Sequence, residues 1–176
     1  MHRCTYWLVG CSLAFVMAGC STAADGYVTA PATALHSSAN AGHHVTGSGH
    51  VPIGMTDDLR EFTFHAIEHP DGSVTGSYKV ERTDTGAYFI VDVTCMSVVK
   101  NTAWIAGRIS ETNTASVRVG TVSYFWAEDG GEGADAQDIV SNARINDRDG
   151  ADVDFCNTRP TRLAPLRVEM GNVQIR

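Results

Sequence analysis

Between Glu128 and Asp138 the chain reads E-D-G-G-E-G-A-D-A-Q-D, so Glu128, Asp129, Glu132, Asp135 and Asp138 share one glycine-rich stretch. Carboxylates packed that closely repel unless they are solvated, paired or coordinated to a cation. Oxygen-rich flexible loops suit Ca²⁺, and glycines let backbone carbonyls turn inward as extra ligands. The spacing departs from the EF-hand pattern, and a solvated acidic loop on an acidic protein is the simpler expectation. A second acidic run, Asp147 to Asp154, is only partly motif-like.

The cysteines give a second chemistry. If Cys4 and Cys11 leave with an export signal and Cys20 carries a lipid, Cys95 and Cys156 remain as a pair. In an oxidising compartment such a pair is expected to be bridged. Closing that loop stabilises by about 4 kcal/mol on the chain-entropy model.

The histidines offer less. His65 and His69 are four apart, which on a strand separates them by about 13 Å, too far for one shared ion. His50 and His65 could meet only across paired strands. His36, His43 and His44 lie in or beside a polar segment, where a solvated histidine is the ordinary case. The sequence shows no G-x-S-x-G elbow and no Walker or dinucleotide glycine pattern between a strand and a helix. Catalysis is therefore not expected. Trp104, Tyr124 and Trp126 would suit stacking on a sugar or apolar ligand if they faced outward, although such residues more often fill a core.

The ends bound where any of this acts. Met1 to Arg3 carry positive charge, Tyr6 to Met17 are nearly all apolar, and Met17-Ala18-Gly19-Cys20 ends in small residues before a cysteine. M-A-G-C resembles the lipobox of bacterial lipoproteins, and the resemblance implies that Cys20 receives the lipid and becomes the mature N-terminus. The earlier L-V-G-C ending at Cys11 leaves too little apolar segment before it. A plain secretory signal would instead be cleaved near Ala18 or Ala23. The expected organisation is a signal over residues 1–19, a lipidated flexible linker over 20–43 and a β domain over 44–176. Loss of Arg3 leaves twelve bases against twenty acids, a formal charge of about -8. That balance argues against nucleic acid as a partner.

The elements that must position these groups read as strands. Glu61 to His69 puts Phe62, Phe64 and Ala66 on one face, Pro70-Asp71-Gly72 turns the chain, and Ser73 to Glu81 alternates back. Val45 to Ile53 reads as an edge strand. Ala87 to Ile109 reads as a central hairpin. A two-residue turn at Lys100-Asn101 would set Cys95 beside Ala106 and Val93 beside Arg108. A three-residue loop with Asn101 left-handed would group Val91, Val93 and Cys95 with Ile105, Gly107 and Ile109, and it is favoured because it buries no Arg. Val117 to Ala127, Ile139 to Ile145 and Val153 to Cys156 read as further strands, followed by a hairpin of Leu166 to Met170 with Val173 to Ile175. No window has a convincing helical period. This predicts one all-β domain of about eight or nine strands, a β-sandwich or small antiparallel barrel.

The blocks Thr94 to Gly107 and Ala127 to Ala134, with the opening G-S-G-H and L-R-E-F-T-F, resemble a group of small exported β-domain proteins common in actinobacteria. Those proteins commonly have Gly where this chain has Lys100, and Asp-Asn where it has Asp129-Gly130. The resemblance implies the fold and export, and no catalytic residues. The expected function is a lipid-anchored, non-catalytic binding or envelope-associated module, held to the membrane through Cys20 and meeting an envelope protein, a glycan or a small apolar ligand. A lipocalin-like carrier would need an internal cavity larger than a few waters. A metal-dependent hydrolase would need the acidic loop to hold its ion.

Overall fold

The computed structural model describes residues 42–54, 58–133 and 136–176. Its strands are β1 (His44–Pro52), β2 (Leu59–Glu68), β3 (Val74–Arg82), β4 (Tyr88–Val99), β5 (Thr102–Thr112), β6 (Val122–Glu128), β7 (Ile139–Ser141), β8 (Arg144–Asn146), β9 (Pro165–Arg167) and β10 (Glu169–Ile175). One short helix, α1 (Ala151–Thr158), interrupts them. The strands form a single antiparallel sheet in the order β10-β1-β2-β3-β4-β5-β6-β7-β9, with β8 pairing separately on β6. Only Val168 separates β9 from β10, so one continuous segment supplies both ends of the path and the sheet curls into a nearly closed barrel. Of the two architectures expected, the barrel is the one formed.

Alternation explains the wall. In β2, Phe62, Phe64 and Ala66 point inward, and in β3 Tyr78 and Val80 do the same. They meet Val91, Val93, Ile105, Ile109 and Phe125 in the main core. Phe125 sits edge-on to both Phe64 (5.2 Å) and Tyr78 (4.9 Å), the arrangement that aromatic quadrupoles favour. Burial pushes the Tyr78 hydroxyl well above its ordinary pKa, so it is neutral at any working pH.

The central hairpin combines both registers considered from sequence. Near the turn, Val99 faces Thr102 and Cys95 faces Ala106, as a two-residue turn requires, and Lys100 rather than Asn101 takes the positive φ of 57°. A bulge at Thr94 then shifts the pairing, so that Val93 faces Gly107 and Val91 faces Ile109. One extra residue reverses the parity of β4. Val91 and Val93 point into the barrel, Met96 and Val98 do so beyond the bulge, and Cys95 points out. The expected grouping of Cys95 with Ile105 is thereby corrected, and Arg108 stays exposed without the three-residue loop.

Other boundaries are corrected too. β1 is not an edge, because it pairs with β2 on one side and β10 on the other. The expected strand from Val117 begins only at Val122, and the expected strand Ile139 to Ile145 breaks into β7 and β8. Gly171-Asn172 lies inside β10 and makes no turn. A side chain at Gly171 would overlap the Ser48 carbonyl, so glycine lets β10 pass close to β1 at their bulge.

The segment Val153 to Cys156, expected as a strand, belongs to α1. Asp152 and Asp154 occupy its first turn, where the helix dipole favours negative charge. The Arg159 N–H caps the Phe155 carbonyl from a left-handed conformation, and Pro160 cannot extend the helix. Ala151, Asp152, Phe155 and Cys156 are buried while Val153 is 52% exposed. The inward face thus includes an acid and leaves out a valine, which hides the helical period from a hydropathy reading.

Candidate functional site

The acidic stretch lies where the barrel closes. The N–H groups of β10 point alternately at β1 and at the gap beside β6 and β7. Into that gap the Asp138 carboxylate accepts from Val173 N (2.6 Å) and Gly130 N (2.8 Å), and Asp129 accepts from Ile175 N (3.0 Å) and Gly131 N (2.8 Å). Asp138 is buried. Two carboxylates therefore do what a neighbouring strand's carbonyls would do, satisfying edge donors that would otherwise be desolvated without partners. The Asn101 side chain and carbonyl fasten Asp129 to the β4–β5 turn. Glu128 ends β6 half-exposed and Glu132 is exposed. Asp135 lies outside the described residues, as does Cys20. Among the described residues no three His, Cys, Asp or Glu side chains come together as a metal group.

On the outer wall, Cys95 and Cys156 meet at bonding distance with Cα atoms 6.3 Å apart, fixing α1 to β4. The helix covers Trp104, Ala106 and Trp126, and Phe155 stacks on Tyr124 at 4.5 Å. Trp104 Nε1 donates to the Pro160 carbonyl (3.1 Å). These aromatics face outward as a binding row would, but the helix occupies the surface they present. Burial pushes the Asp152 carboxyl up, yet the Thr94 hydroxyl at 2.7 Å, backbone N–H groups and the Arg108 charge outweigh it, and the net shift is below the ordinary carboxylate value.

The histidines do not converge. His50 faces Glu61 and His65 faces Thr46, which removes the His50–His65 pairing, and His69 Nε2 lies 2.8 Å from the Thr75 hydroxyl. Inside the barrel, side chains leave a cavity of about 30 Å³ lined by Phe62, Phe64, Tyr78 and Phe125. That is room for about one water.

A wide opening lies at the mouth of the barrel. It is a groove of about 490 Å³ whose walls include Val80, Phe89, Val117 and Ile145, with the hydroxyls of Thr85, Thr114 and Ser116. Arg60 and Arg82 also line it, and they stand directly opposite one another on β2 and β3. Both continue the inward parity of Phe62 and Val80. Sequence reasoning missed this pair, although carrying the alternation of L-R-E-F-T-F one step back from Phe62 places Arg60 inward. Arg82 is held by Asp84 through Nε (3.0 Å) and Nη2 (2.6 Å). Arg60 donates to the Asn142 side-chain oxygen and has no carboxylate partner among the described residues. Burial, and then the neighbouring Arg82 charge, lower its pKa below the ordinary arginine value.

No family model, curated protein or solved structure matches the chain.

Proposed function

We propose that the protein is an extracytoplasmic, lipid-anchored β-barrel that binds a ligand or partner at its outer surface without transforming it. The observation that carries this reading is the position of the groove. The chain enters β1 at His44, beside Ile67, whereas the groove surrounds the other end of the wall, at Arg60 and Arg82. Nine residues of strand separate those ends by about 25 Å. The groove therefore opens at the end of the barrel opposite the point where the expected linker joins it, clear of the proposed attachment. The thiols Cys95 and Cys156 are joined, and Asp129 and Asp138 accept backbone N–H groups, which speaks against the hydrolase alternative. The carrier alternative meets a filled interior.

The anchor is tested by cloud-point detergent partition of the full chain from cells that export it. The native chain is expected in the detergent phase and the Cys20→Ala chain in the aqueous phase. Equal partition of the two would remove lipidation from the reading.

A further inference from the structure

We infer that the groove at the barrel mouth is a binding site for a small organic anion, an acid head held by Arg60 with Arg82 behind it and an apolar body lying along Val80, Phe89, Val117 and Ile145. The inference deepens the binding reading above and rests on it.

Like charges directly opposite on neighbouring strands are unfavourable, and here the pair sits on the inward-facing parity of a protein with a formal charge of -7. An acidic chain that places two guanidinium groups across from one another has provided the complement of an oxyanion. Arg82 is already paired with Asp84, so Arg60 is the cation that a ligand would complete. Its guanidinium offers a planar fork of N–H donors that matches a carboxylate or sulfonate, and among the described residues its side-chain contact is to Asn142. Partial burial strengthens such a charge-assisted bond relative to an exposed one. The volume of about 490 Å³ is that of a small-molecule site. The apolar walls ask for a hydrocarbon body, and Thr85, Thr114 and Ser116 also line the groove.

The test uses the purified full chain in zwitterionic nanodiscs and follows binding of 4-phenylbutyrate by calorimetric titration. Its uncharged analogue 4-phenylbutanol, acetate and glucuronate are run alongside. Saturable binding of 4-phenylbutyrate is expected, weaker by about tenfold or more for 4-phenylbutanol and for the Arg60→Gln variant, as loss of one charge-assisted pair implies. Asn142→Ala removes the same intramolecular bond while keeping the charge, and it should still bind, which separates ligand recognition from damage to the fold. Equal affinity for acid and alcohol, equal binding by Arg60→Gln, or no saturable binding would overturn the assignment. Preference for glucuronate over 4-phenylbutyrate would overturn the apolar body. Ligand recovered chemically altered would instead defeat the reading without catalysis and leave the site standing.

Discussion

The two ends of the barrel use charge in opposite ways. At the seam, Asp129 and Asp138 are each surrounded by donors of the chain itself, and every carboxylate oxygen has a backbone N–H to accept from. At the mouth, Arg60 faces another cation on the neighbouring strand and, among the described residues, bonds to a neutral side chain. A satisfied charge belongs to the fold. A charge set against its like, in a groove with apolar walls, is arranged for something the chain does not contain.

Substitutions can break that contrast. The largest effect is expected at Asp138→Ala, which leaves the N–H groups of Val173 and Gly130 without acceptors in a buried place. Denaturant unfolding should show a loss of about 3–5 kcal/mol, and Asp138→Asn, which keeps one acceptor, should lose roughly half of that. An Asp138→Ala chain as stable as the native one would mean that the seam does not depend on its carboxylates. Asp129→Ala, at the less buried half of the seam, should cost about 1–2 kcal/mol by the same measurement.

Asp152 sharpens the comparison through pH. Its folded pKa lies below the ordinary 3.8, so its contribution is fully present above that pH and is lost as the pH falls through the folded value. Thermal melts from pH 5 to pH 2 should show the native midpoint falling more steeply than that of Asp152→Asn. Parallel curves would contradict the lowered pKa. The smallest change in stability is expected at Arg60→Gln, within about 0.5 kcal/mol of the native chain, because the lost bond to Asn142 is offset by relief of repulsion from Arg82. A loss of several kcal/mol there would make Arg60 a structural residue like the seam aspartates.

Much of the wall could be read from the sequence because a half-buried strand writes its faces into every second residue. Phe62, Phe64, Ala66, Tyr78 and Val80 announce β2 and β3, and Pro70-Asp71-Gly72 marks their turn. The pairing of Cys95 with Cys156 was legible from counting. Three things were not. The bulge at Thr94 has no composition of its own; it exists because β4 must serve the interior on either side of Thr94 and the helix at Cys95. Helix α1 has only eight residues and buries Asp152 in place of Val153, so packing against Trp104 and Trp126 decides it against local pattern. The backbone partners of Asp129 and Asp138 were hidden because a sequence displays carboxylates and conceals edge N–H groups, whose direction is known only once β10 lies beside β1. Arg60 lies within reach of the same alternation that identifies Phe62, but a single arginine at the start of a strand carries no motif of its own.

Closure of the ring by one segment, Pro165 to Ile175, also sets the order of events during folding. β1 pairs with β10, Val45 beside Ile175, so the first and last strands of the wall are neighbours. A chain delivered N-terminus first can form the hairpins β2–β3 and β4–β5 as they emerge, but β1 keeps an open edge, and the gap at Asp129 and Asp138 stays unfilled, until β10 arrives. Such long-range pairing is slow to form. The last pairing of the wall, and the second neighbour of β1, are therefore supplied by the most C-terminal strand.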